Sequence, residues 1–113
     1  MSDLKSMSCR TPKRGGTSIE ISEIHAYQEQ IPDWEIVEVS GINRLIRKYK
    51  FNNFVSALEF TNKVGELAER EDHHPSILTE WGSVTVTWWT HAVNGLHIND
   101  LISAAKTDQI YSN

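Results

Sequence analysis

Apolar side chains recur along this chain at helical or at alternating spacing, and the switches between these spacings mark its elements. From Ser18 to about Gln30, Ile21, Ile24 and Tyr27 keep a helical interval, with Thr17 or Ser18 available as a cap and Pro32 to stop the helix. Trp34–Val39 then alternates in part: Trp34 and Ile36 share one face, Val37 and Val39 the other, and Glu38 breaks the first set. Gly41-Ile42-Asn43 predicts a turn. Beyond it, Leu45, Arg47, Tyr49 and Phe51 alternate with Arg44, Ile46, Lys48 and Lys50, which completes a hairpin. The strongest helical pattern covers Asn53–Glu71. Phe54, Ala57, Leu58, Thr61, Val64, Gly65, Leu67 and Ala68 form its stripe, and Glu59, Lys63, Glu66 and Arg70 its outer face.

After Pro75, two β-rich runs flank Gly82 and predict a second hairpin. In Ser83–His91, Val84, Val86 and Trp88 face one way and Thr85, Thr87, Trp89 and His91 the other. Asn94-Gly95 is a turn pair, and Ile98, Leu101, Ile102 and Ala105 outline a last helix over about 98–110. The order α-β-β-α-β-β-α, without a βαβ period, predicts an α+β fold: a four-stranded antiparallel sheet with helices on one face. Residues 1–17, polar and basic with Pro12 and Gly15-Gly16, are expected as a flexible N-terminal arm before a domain spanning 18–113.

Composition narrows the classes. A chain of 113 residues with 39% hydrophobic and 23% charged side chains is expected to fold as one ordinary domain. A net charge of −4 offers no broad grip on nucleic acid or anionic lipid. No run approaches the roughly 20 apolar residues of a membrane span, and no signal-peptide core is visible. The single cysteine, Cys9, cannot form an internal disulfide, which suits a cytoplasmic setting.

The candidate chemistry sits in "REDHHP" (70–75). Pro75 pushes His74 out of helical geometry, so the long helix should end at about His73 and both imidazoles should stand at a helix–strand junction. There the two neighbouring rings can be turned into one cleft. Helix C-termini favour cationic side chains, and Glu69, Glu71 and Asp72 add to that, so a lone histidine here would be a capping residue. Two of them before a proline, with His91 ending a strand, point to more. A metal site of His73, His74, His91 and Asp100 lacks the i, i+4 spacing that puts two rings on one helical face, and neither CxxC nor HExxH accompanies it. Metal-free acid–base catalysis fits better, because imidazole exchanges protons near neutral pH without a large shift.

"AEREDHHP" (68–75), "TEWGSVTVTWWTH" (79–91) and "GLHINDLISAAKTDQIY" (95–111), with "IPDWEI" (31–36), resemble the pterin-4a-carbinolamine dehydratases over residues 18–111. The resemblance implies dehydration of a 4a-hydroxytetrahydropterin (4a-hydroxytetrahydrobiopterin) to quinonoid dihydropterin, recycling the cofactor of aromatic amino-acid hydroxylases with no metal or organic cofactor. It implies that His73, His74 and His91 form the acid–base set. Asp100 would orient an imidazole, Glu69 would contact the pterin, and Trp34 and Trp89 would border it. His97 receives no role from the motif. Assembly as a homodimer or homotetramer is implied too, and an open sheet has edges to protect. The alternative is a non-catalytic binding module of the same fold, serving as a protein-partner coactivator or in a molybdopterin pathway.

Overall fold

A computed structural model describes residues 3–113. Its elements are α1 (Ile21–Ala26), β1 (Glu35–Val39), β2 (Ile42–Lys50), α2 (Phe54–Glu71), β3 (Ser76–Glu80), β4 (Ser83–Trp88) and α3 (Ile98–Ser112), with 3-10 turns at Leu4–Ser6, Gln28–Gln30 and His91–Val93. All strand pairs are antiparallel in the order β1-β2-β4-β3. The predicted α+β architecture is therefore observed. Alternation does the sorting: Leu45, Tyr49, Val84, Val86 and Trp88 are buried on one face, against Ala57, Phe60, Val64 and Leu67 of α2 and Leu101 and Ile102 of α3. The first hairpin turns on Ser40 and Gly41, both at positive φ (53° and 80°), so β2 already begins at Ile42 and pairs it with Val39.

Several expectations need correction. The helix expected over 18–30 shrinks to the six residues of α1 and a 3-10 turn. Neither Thr17 nor Ser18 caps it, because the chain just before it is drawn to the loop preceding α3, where the Ile19 N–H donates to the Leu96 carbonyl at 2.7 Å. On α2, Phe54 and Leu58 of the expected stripe are exposed, while Phe60, passed over between Glu59 and Thr61, is 4% exposed. Aromatic packing rotates the buried face, since Phe60 lies 4.7 Å from Tyr49 and 5.2 Å from Phe51 between ring centroids.

The strand carrying His91 also ends early. β4 stops at Trp88, Thr90 bridges to Gly95, and His91 opens a 3-10 turn that closes with Asn94 in the left-handed region. The described part of residues 1–17, expected as a flexible arm, is instead tethered: Leu4 is fully buried in the core cluster, and the Leu4–Ser6 turn lies against α3.

Candidate active site

The site forms where α2 ends, β4 ends and α3 begins. Asn53 caps the start of α2, accepting from the Ser56 N–H at 2.8 Å, and the helix runs to Glu71. Asp72 then takes a left-handed conformation (φ 52°), and the N–H of His73 returns to the Ala68 carbonyl at 3.1 Å. This reversal, two residues earlier than proline alone would require, sends His73 back under the sheet end. Its ring stacks on Trp88 (5.3 Å between centroids, 23° between planes), and its Nε2 lies 2.6 Å from Asp100 Oδ1.

Asp100 is completely buried in the first turn of α3, where the helix dipole favours a carboxylate. Its Oδ2 accepts from the Thr90 hydroxyl at 2.7 Å and from the His97 backbone N–H at 2.9 Å. Three groups from two other segments thus converge on one carboxylate. With His73 donating its Nε2–H to Asp100, the Nδ1 of the neutral ring is left as a proton acceptor.

The two adjacent histidines diverge rather than share a cleft. The imidazole of His74 turns outward to Glu69 Oε2, and both side chains are more than half exposed. His91 directly follows Thr90 yet is exposed, its ring edge-on to Trp89 at 5.5 Å. Trp89 is half-buried under the Arg44 guanidinium, 4.1 Å from the ring centroid. Trp34 lies elsewhere: its indole N–H donates to Asp108 at 2.9 Å, beside Arg47 and Tyr49 on the same carboxylate oxygen. Asp108 is eight residues along α3 from Asp100, about 12 Å at the helical rise. In this chain Trp34 is a core residue, 3% exposed. Among the described residues, no group of three or more metal-ligating side chains converges.

Sequence reasoning passed over three participants. Thr90 falls between two residues of the opposite face, Trp88 reads as one of an apolar set with Val84 and Val86, and His97 lies outside the motif. His97 caps α3: its Nδ1 accepts from the Asn99 N–H at 3.0 Å, while Asp100 reaches back to its N–H. A polar residue three positions before a first-turn aspartate is the signal that could have found it. Burial holds the His97 imidazole below its ordinary pKa, against the pull of Asp100 and with Arg10 and His73 pushing the same way as burial.

The sequence profile described as pterin 4 alpha carbinolamine dehydratase matches residues 17–110. The chain belongs to the pterin-4a-carbinolamine dehydratase family. Two of this dehydratase-family chain's relatives, both provisionally named pterin-4-alpha-carbinolamine dehydratase, come from Microcystis aeruginosa and Syntrophotalea carbinolica. The first is 55% identical over 98% of this chain and 96% of its own length, the second 53% over 97% and 98%. A solved structure titled transcriptional coactivator/pterin dehydratase, from Brucella melitensis, superposes with a TM-score of 0.74 at 30% identity, covering 83% of this chain and 98% of that one. A pterin dehydratase-like protein titled a RuBisCO assembly factor shares the fold at 18% identity and a TM-score of 0.59, covering 69% of this chain and 88% of its own.

Proposed function

We propose that this chain dehydrates a 4a-hydroxytetrahydropterin to the quinonoid dihydropterin and water, with histidines as acid and base. The observation that carries this reading is the His73–Asp100–Thr90 set, a largely buried imidazole bonded to a fully buried carboxylate. The N5 lone pair of the substrate expels the C4a hydroxyl. One imidazolium protonates the departing oxygen, and one neutral imidazole takes the N5 proton, so protons and charge balance without a metal or organic cofactor. His73 supplies one of these groups. His74, backed by Glu69, and His91, beside Trp89, are the candidates for the other, each exposed enough to reach a ligand lying over His73. Glu69 and Trp89 then flank the ligand, whereas Trp34 would act only from a distance. A cytoplasmic location and a homodimer or homotetramer belong to the same proposal. Phe54, Val55 and Leu58, exposed together on α2, support assembly.

A synthetic 4a-hydroxytetrahydropterin should lose water faster with the protein than in buffer, with no effect of chelators. His73→Ala should reduce the enzymatic rate about 10²-fold or more. A wild-type rate equal to buffer ends the catalytic reading. A non-catalytic binding module is the second reading, favoured by the coactivator wording attached to the Brucella structure. It would be supported by a protein partner that binds the His73/His74/His91 triple alanine variant as tightly as wild type.

A further inference from the structure

The N-terminal segment is built into the candidate site. Asn99, the residue before Asp100, is 1% exposed, and its side chain holds the backbone of Arg10 from both sides. Its Oδ1 accepts from the Arg10 N–H at 2.9 Å, and its Nδ2 donates to the Arg10 carbonyl at 2.5 Å. The preceding residue is fixed as well: the Cys9 N–H donates to Glu71 Oε1 at 2.8 Å, two residues before His73. The Cys9 sulfur lies 3.5 Å from Ser103 Oγ. A buried amide devoted to the main chain of a distant residue costs side-chain freedom and desolvation, and serves no purpose in capping α3, which His97 already does. Its effect is to set the Arg10 Cα at the N-terminus of α3 while leaving the guanidinium exposed. Asn99 adjoins Asp100 and follows the His97 cap by two residues, so the Arg10 backbone is held beside the carboxylate that bonds His73.

We propose that Arg10, fixed by Asn99 beside the His73–Asp100 pair, contacts the substrate and orients it by donating to the carbonyl oxygen of its pyrimidinone ring. This rests on the dehydratase reading. A guanidinium stays charged at any working pH and offers donors only, so it can take no part in the proton transfers. What it can do is hold an acceptor. The carbonyl at C4 adjoins the reacting C4a, so a donor fixed there sets the face and depth at which the hydroxyl meets the histidines. A contact made equally to ground and transition states shows in KM and leaves kcat alone.

The test compares wild type, Arg10→Ala, Arg10→Lys and a Lys13→Ala/Arg14→Ala control in two measurements: steady-state dehydration, and fluorescence titration with oxidised biopterin. Arg10→Ala should raise KM and the biopterin dissociation constant about tenfold, the scale of one hydrogen bond from a charged donor, with kcat within about threefold. Lysine should recover part of the loss, and the control should match wild type. Unchanged KM and dissociation constant in Arg10→Ala, or an equal loss in the control, overturns the proposal. A wild type that binds biopterin but accelerates nothing sinks the dehydratase reading alone, and the titration still decides Arg10. A wild type that neither turns over nor binds overturns both.

Discussion

Asp100 shows how much a single side chain can be asked to do. One oxygen receives His73 and the other receives Thr90 and the His97 backbone, so the carboxylate orients an imidazole and fastens the start of α3 at once. Asp100→Asn keeps the volume and can still accept from Thr90 and His97, but it removes the negative charge facing His73. Dehydration should fall about 10²-fold, while circular dichroism shows a folded protein. Thr90→Val, which removes one of three donors, should cost less, about tenfold for one hydrogen bond. Full activity in Asp100→Asn would mean that His73 is oriented by its stacking on Trp88 alone. The residue scale also explains why "HHP" misled in part. Adjacent histidines suggested a shared cleft, yet Asp72 in the left-handed region turns one ring inward, and its neighbour pairs outward with Glu69.

At the scale of elements, α3 depends on a histidine cap, and that dependence has a pH sign. His97 accepts the Asn99 N–H only while Nδ1 is unprotonated, and burial lowers its pKa below the ordinary 6.5. A base whose folded pKa is depressed contributes stability that is full above the ordinary value and lost as pH falls through the folded one. The protein should therefore weaken in urea as pH drops below about 6.5. His97→Asn, which keeps a good capping side chain, should flatten that part of the profile. Glu20 and Glu23 line a cavity of about 400 Å3 together with His97, and Asp100, Arg10 and His73 act on its charge as well. An identical slope in wild type and His97→Asn would remove His97 as its source. The same scale accounts for α1. Its periodic residues were legible, but Ile21 is 41% exposed and the chain before it bonds to Leu96, so tertiary contacts set the boundary.

Across the whole molecule, one sheet face packs against α2 and α3 while the N-terminal segment bonds to distant parts of the chain. Leu4 is completely buried, its N–H donates to Gln30 Oε1 at 2.7 Å, and Cys9 and Arg10 reach Glu71 and Asn99. Leu4→Ala should cost about 2 kcal/mol, the low end for a buried leucine because a released terminal segment regains chain entropy. The urea midpoint measures it, and proteolysis within residues 3–16 should quicken in parallel. A variant as stable and as resistant as wild type would show that this segment adds nothing to the fold. Nothing in the local pattern of residues 1–17 marks Leu4 or Arg10, because each is held by partners more than 20 residues away.

By itself the sequence determined the order of helices and strands and the two hairpins, since periodicity, proline and turn residues act over a few positions; that His73 and Asp100 belong together was implied only by the family resemblance. The tertiary structure decided which side of α2 is buried, that His73 and His74 part company, that Trp34 serves Asp108 rather than the histidines, that Thr90 and His97 bond Asp100, and that Asn99 holds Arg10. Those outcomes depend on how space is filled and how buried polar groups find partners between distant segments, and neither condition is written in the spacing of residues along one element.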